Sequence, residues 1–446
     1  MELTTLIPQF GGLIWTIFAF IVALSIIVAV HEFGHYWVGK KTGIYPEVFS
    51  LGFGPVLISR RDSYGTLWQV AALPLGGYVR FRGDANPSGG TDEETMAALS
   101  EEEKRTTMAG APLWARSLTV LAGPVFNFIL AALIFAGVFI ARGETADPLT
   151  VGDLRTLPVE HALQEGDVVL AIAGRETPRV GTDAYSDFLD ALPVAPTLDY
   201  TVERAGSRQT VEGPYVFPPF VVQVVPRSAA ADAGLRPGDV ITAIDGAAVT
   251  AFSQLQEAVE GSQGASLDLT VWRDGETFET AMTPRRVDEP QADNSFRSVF
   301  RIGIVGGIAF DPATRPVGPL TALGQGVAQV GTVMSSSLSG LWHMITGAIS
   351  TCNLSGPIGI AEMSGDMASQ GTGSFIWFIA VLSAAVGLLN LFPVPVLDGG
   401  HLVFHAWEAV TGKPPGDRAM QVMMMAGLTL ILGMMAFALT NDIFCP

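Results

Sequence analysis

Polar and apolar positions divide this chain into stretches with different periods. Four apolar runs stand out, Leu13–Val30, Ser117–Ile140, Gly373–Val396 and Met420–Leu439, and none contains an acidic or basic residue. A helix needs about 20 apolar residues to cross a bilayer, so each run predicts a transmembrane helix. Between the first two runs the period changes. The chain reads Glu47-Val-Phe-Ser-Leu-Gly-Phe-Gly-Pro-Val-Leu, then Arg60-Arg-Asp-Ser-Tyr-Gly, then Thr66-Leu-Trp-Gln-Val-Ala-Ala-Leu-Pro-Leu-Gly-Gly-Tyr-Val-Arg-Phe. Two β-rich runs around a polar turn predict a hairpin. It is too apolar for open water, and non-helical backbone is tolerated at membrane depth only where it is buried or lines a wet cavity. The hairpin is therefore expected to dip toward a site inside the membrane. The stretch Ala85–Lys104 is polar and acidic, and is expected to be a mobile loop with one short helix.

From Arg142 to about Pro312 the pattern turns soluble, with short strands between Gly and Pro turns. Ser228-Ala-Ala-Ala-Asp-Ala-Gly-Leu-Arg-Pro-Gly-Asp-Val-Ile-Thr-Ala-Ile-Asp-Gly-Ala-Ala-Val predicts a short helix, a turn at Pro237-Gly238-Asp239, a strand Val240–Ile244 and a turn at Asp245-Gly246. This string resembles a bacterial PDZ domain. A weaker echo, Pro158-Val-Glu-His-Ala-Leu-Gln-Glu-Gly-Asp-Val-Val-Leu-Ala-Ile-Ala-Gly, predicts a degenerate first copy. Val317–Ser350 is apolar and uncharged, but its Gly, Ser, Thr, Gln and His343 make one face polar. An amphipathic helix on the outer surface fits it better than a further span.

Composition agrees with a membrane protein: 49% of residues are hydrophobic, 15% are charged, and mean hydropathy is +0.39. Charge sets the orientation. Lys40, Lys41, Arg60, Arg61, Arg80, Arg82, Lys104, Arg105 and Arg116 lie between the first two runs, and Lys413 and Arg418 between the last two. No Lys or Arg precedes the first run or follows the last. The positive-inside rule then places both basic loops in the cytoplasm, and the termini and the long insert outside. No basic stretch precedes the first run as a cleaved leader would require, so that run is expected to stay. The net charge of −18 argues against nucleic acid as a partner. Cys352 and Cys445 would both face outside, where a disulfide is chemically allowed; two unconnected thiols are the preferred reading.

His31-Glu32-Phe33-Gly34-His35 matches H-E-x-x-H at the inner end of the first run. On a helix the two histidines stand one above the other and can share one Zn²⁺, with Glu32 beside them to hold a water. Zinc lowers the pKa of that water toward about 7, and the glutamate takes the proton. Ionisable residues at membrane depth are costly and functional by default. A catalytic zinc keeps three protein ligands and one open position. The best third ligand is Asp398, in Asn390-Leu-Phe-Pro-Val-Pro-Val-Leu-Asp-Gly-Gly-His401. Pro393 and Pro395 cannot continue a regular helix, so unwound backbone there could pair with an extended substrate. With the N-terminus outside, the first span ends inside at His31–His35 and the third ends inside at Asp398. A further span at Val317–Ser350 would put Asp398 on the opposite face.

These strings together resemble the site-2 protease family of intramembrane zinc metalloproteases, in its bacterial RseP type, over essentially the whole chain. The resemblance implies His31, His35 and Asp398 as ligands of a single zinc, Glu32 as catalytic base, and Asn390 as a residue that holds substrate. Ala122-Gly-Pro-Val-Phe-Asn127 and Leu354-Ser-Gly-Pro-Ile-Gly-Ile360 are further family strings, and Gly52, Phe53 and Gly54 fall where the family has a substrate-binding hairpin. The implied fold is a polytopic α-helical membrane protein with four transmembrane helices, a membrane-associated β-hairpin and two periplasmic PDZ-like α+β domains. Its first membrane half would cover 1–140, with spans at about 13–37 and 115–140 and the hairpin at about 44–82. PDZ-like domains would follow at 141–213 and 214–312, then an amphipathic helix and linker at 313–371. The second membrane half would cover 372–446, with spans at about 373–397 and 420–440.

The implied activity is regulated intramembrane proteolysis of single-span proteins already cut on their outer side. Substrates would include an anti-sigma factor in envelope stress signalling, and remnant signal peptides. The implied partners are those transmembrane substrates, the lipid bilayer, and C-terminal peptides at the PDZ domains; the implied place is the bacterial inner membrane. Three rival readings are weaker. A membrane-anchored PDZ scaffold or chaperone would not need Glu32. A transporter would show more intramembrane charges and repeated spans. A second metal on His401 and His405 lacks a glutamate between them, and His161 and His343 read as ordinary residues.

Overall fold

A computed structural model describes residues 6–86, 89–290 and 296–445. The chain forms two compact units. One runs to Val138 and takes in Leu320–Trp342 and the chain from Thr351 onward; the other is Phe139–Pro319 with His343–Ser350.

In the first unit, the helices Leu6–Thr42, Leu113–Arg142, Thr372–Asn390 and Asp417–Phe444 cover the four apolar runs, and all four are long and apolar enough to cross a membrane. Leu13, Ile14, Phe18, Val422 and Met425 are exposed on them, as side chains facing lipid would be. Helices in lipid gain nothing from burying apolar surface against each other, so they cross where small residues allow close backbone approach. A Cβ added at Gly34 would meet Ala122 O at 2.5 Å, and one at Gly387 would meet Pro124 O at 3.1 Å. The first and second apolar helices cross at the former point, the second and third at the latter.

The third apolar run was expected to reach Val396, but its helix ends at Asn390. The chain turns over Leu391–Leu397 and a separate helix, Asp398–Thr411, begins. The turn is held by Val394 N–H to Phe392 O (2.7 Å) and Leu397 N–H to Val394 O (2.8 Å). Pro393 and Pro395 lack the N–H groups that a continuing helix would use.

Pro46–Arg61 and Leu67–Phe81 form the antiparallel hairpin. Val48–Leu51 pair on one side with Gly77–Arg80 and on the other with Leu67–Val70, so the hairpin curls back on itself. Gly52 and Gly54, at φ +88° and +82°, permit the bulges that make this turn. Ala85–Lys104 holds more structure than one short helix. Short strands Asp84–Asn86 and Gly89–Thr91 pair, and helices Glu93–Ala98 and Glu101–Lys104 follow, capped by Asp92 and by a Ser100–Glu103 capping box. Helix Pro319–Ile345 is not one of the four membrane candidates.

The cysteines do not stay apart: Cys352 and Cys445 form a disulfide. The end of the last helix is docked there by polar contacts. Asn441 Nδ2 donates to Thr351 O at 2.7 Å, and the Asp442 carboxylate accepts from Gly356, Ile358 and Gly359 N–H at 2.8, 3.1 and 3.1 Å. Those amides open helix Pro357–Ser369, whose first N–H groups lack partners within the helix.

The second unit contains the same arrangement twice. One four-stranded sheet runs Ser207–Pro214, Thr197–Arg204, Val168–Ile172, Arg175–Glu176; the other runs Glu276–Met282, Leu267–Arg273, Val240–Ile244, Ala247–Ala248. Both use one ion pair in one setting. Arg204 grips buried Asp167 through Nε and Nη2 at 2.7 Å each and also reaches Ala162 O; Arg273 grips buried Asp239 at 2.6 and 2.8 Å and reaches Gly234 O. Left-handed turns recur at Ala173-Gly174 and Asp245-Gly246, and at Ala205-Gly206 and Asp274-Gly275. The first copy is thus weak in sequence but complete in wiring. The closing pairs are nested: Val221–Val224 pairs with Ile304–Gly306, while Val151–Leu154 pairs with Phe310–Pro312, beyond the whole second copy.

Candidate metal centre

His31 and His35 lie on one face of the first helix, four residues apart, with their Nε2 atoms 3.2 Å from each other. Asp398 is the first residue of its helix and brings Oδ2 to 3.2 Å from His31 Nε2 and 3.5 Å from His35 Nε2. Gly399 and Gly400 make that approach possible, since a Cβ on either would strike the carbonyls of Leu391, Phe392 or Val394. Further along, Arg116 Nη2 to Glu408 Oε1 (2.6 Å) and Ser117 Oγ to His405 Nδ1 (3.2 Å) tie the helix carrying Asp398 to the second apolar helix.

Proton positions decide what this triangle can do. His35 Nδ1 donates to Thr119 O at 2.8 Å, so a neutral His35 presents a lone pair at Nε2. Asp398 Oδ2 is buried, and among the described residues it finds no donor besides the two imidazole Nε2 atoms that face it. With His31 also deprotonated at Nε2, three electron pairs would converge on one point, the donor arrangement that a cation site requires. In a tetrahedron the ligand–ligand edge is about 1.63 times the bond, so bonds of about 2.0–2.1 Å to zinc put donor atoms about 3.3–3.4 Å apart. The observed edges of 3.2, 3.2 and 3.5 Å bracket that value. Among the described residues this is the cluster of His, Cys, Asp and Glu side chains able to hold a metal. His405 is instead paired with Ser117, and His401 packs edge-on against Phe404.

A family model for peptidase family M50 matches residues 19–434. The chain belongs to that family, the site-2 proteases. Along 445 residues it is 36% identical to a protein of Agrobacterium fabrum that bears a zinc-metalloprotease name, covering 99% of both chains. It is 32% identical over 463 residues to the regulator of sigma-E protease of Salmonella typhimurium, covering 97% of this chain and 99% of that one. The chain is accordingly a zinc metalloprotease and an integral membrane protein, and the triangle has the size and donor chemistry that zinc requires.

The other residues singled out in the sequence surround this point at different ranges. Glu32 lies where the hairpin meets the first helix: a Cβ on Gly77 would be 2.9 Å from Val28 Cγ1 and 3.0 Å from Glu32 Cγ. One turn beyond, Tyr36, Phe49 and Trp68 pack ring to ring, and Asp62 in the hairpin turn accepts from Tyr36 Oη (2.9 Å) and Trp68 Nε1 (3.2 Å). Gly52, Phe53 and Gly54 sit on the bulged strand, where Phe53 is 42% exposed and stacks on Tyr78. Asn390 ends the third apolar helix, and Pro393 and Pro395 lie in the turn that leads to Asp398.

The second apolar helix, which carries the string Ala122–Asn127, supplies contacts to which motif reading assigned no role. Thr119, Gly123 and Asn127 recur every four residues on one of its faces, opposite the two histidines. Thr119 O holds His35, Asn127 Nδ2 stands 3.3 Å from His31 Nδ1, and Gly123 leaves room for both rings. Asn127 is the one amide side chain in the run Ser117–Ile140, which is the signal that could have marked it.

Proposed function

We propose that this M50 peptidase cuts single-span membrane proteins within the bilayer, through one zinc held by His31, His35 and Asp398. The observation that carries the reading is the zinc-sized triangle of donor atoms, two of them on a helix long and apolar enough to cross a membrane, with the hairpin packed beside it. Bound zinc supplies Lewis acidity toward the peptide carbonyl and toward water. Glu32, beside His31 and against the hairpin, acts as general base for the attacking water and passes the proton to the leaving nitrogen. A helix resists cleavage because its carbonyls are bonded internally. The hairpin at Gly52, Phe53 and Gly54, and the turn at Asn390, Pro393 and Pro395, hold a locally unwound substrate extended by strand addition.

The second unit is read as two PDZ-like modules. The strand pairing favours the second inserted before the last strands of the first, rather than 141–213 followed by 214–312. The charge pattern supports an inner-membrane location with termini and PDZ modules periplasmic and the zinc near the cytoplasmic face. In that position the modules would admit substrates already trimmed outside, by size or by a newly exposed C-terminus. The relative named as a regulator of sigma-E protease supports an anti-sigma factor as one substrate class; remnant signal peptides are a second class within the proposal. Glu32→Gln tests the chemistry: zinc should stay bound while cleavage disappears, and persistent cleavage would refute the assignment. Deleting Val151–Pro312 should let untrimmed substrates be cut; unchanged discrimination would sink the filter.

A further inference from the structure

His31 poses a question that its partner His35 does not. Its Nε2 faces the other two donor atoms at 3.2 Å each, so it can bind a metal only if its proton sits on Nδ1. A buried imidazole N–H needs an acceptor. The group at Nδ1 is the Asn127 side chain, fully buried, with Nδ2 at 3.3 Å and Oδ1 buried without a partner among the described residues. In that orientation a donor faces the position where the ring must itself donate. Turning the amide by 180° exchanges two atoms of nearly equal size and places Oδ1 at Nδ1. It leaves the number of unpartnered amide atoms unchanged and alters only which one faces the ring.

We infer that Asn127 is a positioning residue whose amide oxygen fixes the Nδ1–H tautomer of His31 and so presents Nε2 to the zinc. The inference rests on the ligand set proposed above. Thr119 O performs the same task for His35 at 2.8 Å, two turns away on the same helix face. A helix that contributes no ligand thereby sets the protonation pattern of both histidines. The backbone carbonyl of Asn127 is itself anchored by Ser383 Oγ at 2.9 Å, a contact that side-chain substitution leaves in place.

Outer partners of metal-bound histidines are worth about 10–100-fold in metal affinity. The test measures zinc affinity by chelator competition on the purified full chain in detergent, comparing wild type with Asn127→Leu, Asn127→Asp and His31→Ala. Asn127→Leu keeps the approximate volume without an acceptor and should weaken zinc 10–100-fold. Asn127→Asp offers only acceptors and should bind zinc at least as tightly as wild type. His31→Ala should lose zinc altogether. Asn127→Leu with wild-type affinity, or Asn127→Asp weakened tenfold or more, overturns the proposal while leaving the ligand set standing. Wild-type zinc affinity in His31→Ala overturns the ligand set instead. Where Asn127→Leu does not fold, Asn127→Asp decides alone, because a donor-facing orientation predicts loss and an acceptor-facing one predicts retention.

Discussion

Gly123→Ala perturbs the centre without touching a ligand. A Cβ at Gly123 would lie 2.6 Å from His35 Cε1 and 2.7 Å from His31 Cε1, whereas carbon atoms rest about 3.5–4.0 Å apart. The second helix and the rings must therefore separate by about 0.8 Å or more. The rings cannot swing aside freely, since both are held at Nδ1 by that same helix. Moving either one by this amount takes a donor–donor edge well outside the 3.2–3.5 Å now found. Misplacing catalytic groups by about 1 Å costs on the order of 10²-fold. The expected result is a fall of about 100-fold in kcat/KM on a fluorogenic transmembrane substrate in micelles, with reduced zinc retention. Gly137→Ala is the matched control: it lies on the same helix with nothing within 4 Å of the added carbon. Both variants gain helix propensity of about 1 kcal/mol, so helix stability cannot explain a difference between them. Gly123→Ala with activity within threefold of wild type and full zinc content would show that the helix crossing does not set the ligand geometry.

Two further outcomes follow from the outer unit and the C-terminal clip. Burial disfavours the Asp167 carboxylate, but the Arg204 guanidinium and the Gln164 N–H outweigh it and hold the carboxyl below its usual range. Its stabilisation is then present above the unfolded pKa, near 3.9, and is lost as pH falls through the folded value. Asp167→Ala should destabilise the unit by about 2–3 kcal/mol, below the roughly 3–5 kcal/mol of a fully buried pair because Arg204 is a quarter exposed; Asp167→Asn should flatten the acid limb of its unfolding curve, and an unchanged limb would refute the linkage. The disulfide closes a separation of 93 residues, for which chain entropy gives an upper bound of about 4–5 kcal/mol; reductant should lower the unfolding temperature of wild type and leave Cys352→Ser unaffected, and equal curves would refute a stabilising role.

What could be read in the sequence was local. H-E-x-x-H needs only a helix to place two imidazoles together, and Gly-Asp-Val followed by Asp-Gly needs only a strand between two turns. The break at Pro393 and Pro395 follows from missing N–H groups, although the helix stops at Asn390, earlier than the apolar run suggests. What stayed hidden depends on which elements meet. The disulfide required knowing that the last helix returns to Thr351, and the nested closing strands are only three or four residues each. The first copy has the Asp167–Arg204 pair, which with Gln164 N–H fixes the turn before its central strand, although its sequence matches the second only weakly.

The role of the second apolar helix belongs to the same class. Nothing local marks Thr119, since it acts through a backbone carbonyl that any residue would provide. Gly123 acts by lacking a side chain. In lipid, where association between apolar faces is weakly driven, such features decide how closely two helices approach and which polar atoms then meet. Asn127–His31, Thr119–His35, Ser383–Asn127 and Arg116–Glu408 all involve this helix. It is thus the common reference for the first helix, the third, and the helix that begins at Asp398. The metal-binding motif supplies two of the three proposed ligands, and the helix that contributes none positions their rings.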